Sequence, residues 1–283
     1  ALGYARATEN VTITNCQVYG YDHGSLMDGT YKTEFIDEAP GVGHCITGRL
    51  KLGTESNGGF KNITISYCVF ERSRGIAIET ADGGIIEDVL IDNITMRDVT
   101  DTPFFIRLNA RMRGPEGVPV GVCRRITISN LNVYDVGGRP KSPELGAGMV
   151  MGIPGYYIED LTLDNIRIYY RGGASKEAIG KEVPQNIDTY PDAYRWHSMP
   201  AYGMYFRYVK GLRVSNVVLR YLNKDERPAF ILDDVHNANF NHVDAQKGDG
   251  APQFILKNVS NITLHQVNGV EDITLKKEEK REL

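Results

Sequence analysis

ENVTITNCQV (9–18), KNITISYCVF (61–70), EDVLIDNITM (87–96), RRITISNLNV (124–133), EDLTLDNIRI (159–168) and KGLRVSNVVL (210–219) are one phrase written six times. Weaker copies follow at HNANFNHVDA (236–245) and SNITLHQVNG (260–269). Where the copies run closest, from Ile63 to Val89, Leu212 to Ala238 and Ala238 to Ile262, the period is 24 to 26 residues, in the window of a solenoid. A chain of 283 residues read by length alone divides into two domains; the repeat argues for one.

Within a copy such as Asn62-Ile63-Thr64-Ile65-Ser66, apolar and polar residues alternate, the period of a strand with one buried face. A turn position follows, held by Asn15, Asn93, Asn130, Asn165 and Asn216, and by Tyr67, His242 and Gln266 in the other copies. Asn tolerates a left-handed backbone and bonds nearby main-chain groups, so these residues are expected to stack as a ladder of side-chain amides. Cys16 and Cys68 share the next position with Ile94, Leu131, Ile166 and Val217 and read as small buried hydrophobes. The four cysteines, Cys16, Cys45, Cys68 and Cys123, have neither disulfide-scaffold nor zinc-site spacing.

A second strand follows each first one: GRLKLGT (48–54), RGIAIET (74–80), PFFIRLN (103–109), AGMVMGI (147–153), YGMYFRY (202–208), PAFILDD (228–234) and PQFILKN (252–258). Two or three short strands per coil, with no convincing amphipathic helix between them, make an all-β parallel β-helix the economical architecture. It occupies residues 1–270, with a tail at 271–283 whose end, from Lys276 to Leu283, is expected to fray. Long insertions at 28–47, 110–123, 135–146 and 171–200 mark where function gathers in a solenoid. The last carries Tyr190, Tyr194 and Trp196, which suit either stacking on a sugar ring or packing within the loop.

Aligning the second strands with Leu50 and Leu52, Ile76 and Ile78, Ile106 and Leu108, and Met149 and Met151 inward leaves one outward column. It reads Lys51, Glu79, Arg107, Gly152, Arg207, Asp233 and Lys257. Strands about 4.8 Å apart would make this an alternating charge ladder on an exposed face. The bland reading is a solvated ion-pair ladder of little worth. The sharper reading is a groove for the carboxylates and hydroxyls of a sugar polymer, with Arg49, Arg72, Arg74, Arg111 and Arg113 nearby. Glu55 is the best-placed carboxylate for it. Asp28 and Asp82, each followed by glycine, and Asp22, two residues before Gly24, read as turn chemistry.

A net charge of -4 gives no general attraction to nucleic acid, and no apolar run approaches the roughly 18 residues of a membrane-spanning helix. No metal or organic cofactor is implied, and the chain is expected to be a monomer.

The stretch 48–98 resembles glycoside hydrolase family 28, the polygalacturonases and their relatives. The resemblance rests on Gly53-Thr54-Glu55-Ser56-Asn57-Gly58-Gly59, on Arg74-Gly75-Ile76-Ala77-Ile78-Glu79-Thr80, and on Gly83-Gly84-Ile85-Ile86-Glu87-Asp88-Val89. It implies a right-handed single-stranded parallel β-helix of the pectin lyase-like kind. It also implies inverting hydrolysis of an acidic plant cell-wall polysaccharide such as pectin, polygalacturonate or rhamnogalacturonan, and a secreted or periplasmic parent. The N-T-D and D-D motifs that supply the family's acid and base are not found upstream of the matching region. The His of its G-H-G motif aligns with Arg49, and the Arg and Lys of its R-I-K motif align with Ala77 and Glu79. The catalytic aspartates are therefore expected upstream of residue 1, in a divergent branch, and the chain itself is expected to be weakly active at most. Substrate binding is assigned to Arg49, Lys51, Glu55, Glu79 and Arg107. The competing readings are a non-catalytic carbohydrate-binding β-helix and a pectate lyase, which would need clustered aspartates for calcium.

Overall fold

The computed structural model describes residues 6–20, 27–29, 48–137, 146–196 and 198–283. Its strands in chain order are β1 (Thr8–Thr14), β2 (Gln17–Tyr19), β3 (Leu50–Leu52), β4 (Gly59–Glu71), β5 (Ile76–Thr80), β6 (Ile85–Val99) and β7 (Phe104–Leu108). They continue as β8 (Val122–Val136), β9 (Gly148–Met151), β10 (Ile158–Gly172), β11 (Met204–Asn223), β12 (Phe230–Ala245), β13 (Phe254–Val267) and β14 (Ile273–Glu282). Every pairing but the last is parallel and joins one coil to the next, as in β4–β6–β8–β10–β11–β12–β13. The short β3, β5, β7 and β9 stack likewise and meet the start of β11. This is a right-handed parallel β-helix, and most of YDHGSLMDGT (21–30) with Asp22 and the insertion that follows lies outside the described residues.

The repeat builds the core directly. Ile13, Ile65, Ile91, Ile128, Leu163, Val214, Phe240 and Leu264 stand in one register column, and from Ile65 onward each is at most 1% exposed. Each fully buried side chain of this kind contributes about 1.5–3 kcal/mol. Two left-handed residues bend the chain at either end of each phrase. The second set is the expected one, Asn15, Tyr67, Asn93, Asn130, Asn165, Asn216, His242 and Gln266, all with positive φ. A first set, Asn10, Asn62, Asp88, Arg125, Asp160, Gly211, Asn237 and Asn261, lies five residues earlier in each copy.

The amide ladder is interrupted. Asn165 Nδ2 donates to Asn130 Oδ1 at 2.6 Å, but Asn130 donates to Asp92 Oδ1 at 2.7 Å and Asn216 to Asp164 Oδ1 at 2.9 Å. Aspartates thus alternate with asparagines as acceptors. Cys68 is buried as expected, whereas Cys16 is exposed, because among the described residues no strand pairs with the outer edges of β1 and β2.

The tail does not fray. Residues Ile273–Glu282 form β14, antiparallel to β13, with Leu275 opposite Ile262 and buried. The last coil of a solenoid otherwise presents an open row of main-chain donors and acceptors, and a returning strand satisfies them. Its alternation of Ile273 and Leu275 with Thr274 and Lys276 fits a strand with one covered face.

Candidate functional site

The insertion between β10 and β11 is a strap laid across the outward face of the second strands. It contains two 3-10 turns, Lys176–Gly180 and Ala193–Trp196. Val183, Ala193, Trp196 and Met199 pack on Phe105, Met149, Met151, Tyr205, Ile231 and Ile255 as a second apolar core. Trp196 is buried 5.5 Å from the Phe105 ring, so this loop aromatic packs within the fold. Met149 and Met151 therefore face the strap; Gly148 and Val150 hold the inward register beside Phe104 and Ile106.

The charged column is corrected in two places. The register runs Glu79, Arg107, Met151, Arg207, Asp233, Lys257, so Met151 stands where Gly152 was expected. Lys51 pairs with Ala77, two residues short of Glu79. Nor is the face exposed from Glu79 to Arg207, where Glu79 is 0% and Arg107 1% exposed; it opens to solvent only at Lys257.

Arg107 and Arg207 hold the strap down. Arg107 donates to the carbonyls of Gly152 at 2.8 Å and Gln185 at 2.6 Å, with longer bonds of 3.3 Å to Met151 and Asn186. Arg207 bonds the carbonyl of Val183 at 2.7 Å and pairs with Asp233. Asn109 donates to Thr189 O at 2.7 Å and Trp196 Nε1 to Pro184 O at 2.9 Å. A buried loop must find partners for its main-chain carbonyls, and these side chains supply them. Burial, and then the charge of Arg207, push the Arg107 guanidinium down to about 9. Arg107 is thus spent on the strap and has no path to a bound sugar.

Arg49 is committed in a related way. Asp192 of the strap receives Arg74, and Arg49 Nη1 lies 3.5 Å from its other oxygen; Arg74 Nε also donates to Asp101 at 2.6 Å. Burial alone would lower the Arg74 guanidinium, but Asp101 and Asp192 outweigh it and raise it. Arg49 Nε and Nη2 are buried without a hydrogen-bond partner.

At the rim of the strap the remaining expected residues do converge. Lys51 Nζ lies 2.9 Å from Glu79 Oε2 and donates to Tyr190 OH at 2.9 Å. Thr54 Oγ1 donates to the same Glu79 oxygen at 2.5 Å, while Glu79 Oε1 is buried without a partner. Gly53, with φ +107, lets the chain pass here, because an added Cβ would sit 2.0 Å from Glu79 O. Across the Tyr190 ring lies Arg111, its guanidinium carbon 5.6 Å from the centroid. Arg111 clamps Asp82, with Nε at 3.1 Å, and reaches toward Glu55 at 3.5 Å; Arg113 lies 3.8 Å from Glu55. Glu55 and Arg113 are about 70% exposed in their side chains and Tyr190 is 38% exposed.

Lys51, the exposed Arg113, a half-exposed phenol ring and an exposed carboxylate are a binding chemistry for an acidic sugar: Arg and Lys for a carboxylate, Tyr for the ring. Burial would raise Asp82, but hydrogen bonds from Arg111 and the Arg113 amide prevail and hold it below the usual carboxylate range. It is ill suited to donate a proton at neutral pH. Among the described residues no three His, Cys, Asp or Glu cluster as metal ligands do. Asp82 read as turn chemistry from its glycines, and Asp192 carried no sequence signal; Thr54 belonged to a quoted motif without an assigned role.

The model of glycosyl hydrolases family 28 matches residues 5–189. No curated protein and no solved structure matches.

Proposed function

Because the chain belongs to glycosyl hydrolase family 28, whose members are glycosidases of pectic polysaccharide, we propose that it engages a galacturonate-containing chain at the strap rim. The observation that carries this reading is the convergence of Lys51, Arg111 and Tyr190 around Glu79 and Glu55. A uronate carboxylate meets Lys51 in a point contact or the exposed Arg113 in a two-pronged one, its ring lies on Tyr190, and Glu55 accepts sugar hydroxyls, while Arg111, buried and held by Asp82, backs Tyr190 and Glu55. Arg49, Arg74 and Arg107 act at one remove by fixing the strap that carries Tyr190.

The reaction we propose is hydrolysis with inversion. It requires one carboxylic acid to protonate the leaving oxygen and one carboxylate to activate water, about 6.5–9.5 Å apart. Glu79 and Asp82 are already engaged, the first by Lys51 and Thr54 and the second by Arg111. The reading therefore gives the residues described here substrate positioning and assigns neither of these carboxylates the acid or base role. That engagement also favours a second reading, carbohydrate binding without turnover.

Polygalacturonate incubated with the purified 283-residue chain tests both. The expected result is saturable binding with little or no release of reducing ends. Robust release would place the acid and base within this chain, and absence of binding would remove the rim assignment.

A further inference from the structure

We propose that the outer face of β6, β8 and β10, away from the strap, is a second binding surface for an acidic polysaccharide. The choice of ligand rests on the substrate class proposed above; the surface itself does not. Two rungs define it. Arg97, Tyr134 and Tyr169 stand side by side on the three strands, and Thr95, Asn132 and Arg167 form the parallel rung. These six residues border a hollow of about 260 Å³ floored by Met96 and Val133.

Three observations point to a ligand. The Tyr134 and Tyr169 rings lie 5.6 Å apart and tilted by 44°, and Tyr134 is 49% exposed, so an aromatic wall faces water. Such rings accept the apolar face of a sugar. Arg97 and Arg167 have no hydrogen-bond or ion-pair partner for their guanidinium groups among the described residues. Several arginines of the same coils are taken, Arg124 and Arg125 by Glu87 and Asp88, Arg171 by Asp98 and Asp135, and Arg220 by Asp244, whereas Arg213 of β11 is not. Arg97 and Arg167 differ from Arg213 in lining the same hollow as the two tyrosines.

The placement of the charges selects the ligand class. Arg97 lies on β6, next to Glu71 of β4, and Arg167 lies on β10 in the other rung, two strand steps away, or about 10 Å at 4.8 Å per step. A polymer with a carboxylate on every residue can meet both while its rings cross Tyr134 and Tyr169. Arg offers each carboxylate two parallel donors. A neutral polymer would leave the two charges unused. Nucleic acid, bound by neutralising many phosphates, is not matched by two cations on a chain of net charge -4.

The test is titration calorimetry of the full chain with a galacturonate hexamer and with the same hexamer fully methyl-esterified. Variants are Tyr134→Ala with Tyr169→Ala, Arg97→Gln with Arg167→Gln, and Tyr190→Ala at the strap rim. The first four positions are surface residues, and circular dichroism with the melting temperature checks that each protein is folded. The expected result is two binding events, of which the esterified hexamer loses at least fivefold in affinity. The outer-face variants should each weaken one event at least tenfold and leave the other, and Tyr190→Ala should do the converse. If only one event is seen and Tyr190→Ala alone abolishes it, the outer-face surface is refuted while the rim reading stands. If the one event is lost only in the outer-face variants, the rim reading falls and this one stands. Binding unaltered by the outer-face variants, or no binding by the wild type, overturns the proposal.

Discussion

Replacing Arg107 with Met should release the strap without unfolding the coils beneath it. The side chain is 1% exposed and donates to four main-chain carbonyls, two of them, on Gly152 and Gln185, at 2.8 and 2.6 Å. Met keeps much of the packing against Trp196, but strands those two acceptors, at about 1–3 kcal/mol each. Part of this returns, because a guanidinium held beside Arg207 in a desolvated place no longer has to stay charged. The net is about 2–4 kcal/mol, and it falls on local opening of the strap, since the inward columns of β7, β9 and β11 are untouched. At 1.4 kcal/mol per factor of ten, amide exchange over residues 183–189 should rise by about 30-fold to 1,000-fold. Exchange in β8 and β10 should be unchanged. Hydrogen–deuterium exchange with mass spectrometry reads both regions in one experiment. A rise below about threefold in 183–189, or an equal rise in β8 and β10, would refute the argument that Arg107 fixes the strap.

Asp192→Asn removes the carboxylate that Arg49 and Arg74 share, leaving buried guanidinium charge less compensated. Denaturant unfolding should show a loss of about 3 kcal/mol, against less than about 0.5 kcal/mol for Glu55→Gln at the exposed rim. For Asp82, a folded-state pKa below the usual value means its contribution is present above about pH 4 and lost as pH falls through the folded value. The stability gap between wild type and Asp82→Asn should accordingly be constant from pH 7 to 5 and shrink below about pH 4; a gap that does not shrink at all between about pH 5 and 2.5 contradicts the clamp. Deleting residues 271–283 bares the edge of β13, and light scattering should show concentration-dependent association of the shortened chain.

The coil was legible because its signal is a repeated alternation around a buried column from Ile65 to Leu264. The register of the short strands was less so. AGMVMGI is apolar or small at every position, since β9 is covered by the core on one side and the strap on the other, and a strand buried on both faces has no alternation to read. That is why Met149 and Met151 were placed inward and Gly152 joined the charged column. The first set of left-handed residues is harder to read because its four Asn are mixed with two Asp, Arg125 and Gly211. For the site, Lys51, Glu55 and Glu79 were named from their places on and just after the strands. The strap that brings Tyr190 to them folds by long-range contacts with Arg107 and Arg207, and of its own Asp192 with Arg49 and Arg74, which no local pattern encodes. The same contacts turn Arg49 and Arg107 from candidate sugar ligands into anchors.

The central claim is that the rim of the strap recognises the acidic group of a pectic sugar. Its most direct measurement is the affinity of galacturonate trimer for the wild-type chain and for Lys51→Met and Arg113→Gln, each confirmed folded, with methyl-esterified trimer as the uncharged control. The account predicts that the acid trimer binds at least tenfold more tightly than its ester and that each substitution erases most of that difference. Equal affinity for acid and ester in the wild type, or a difference that survives both substitutions, would contradict it.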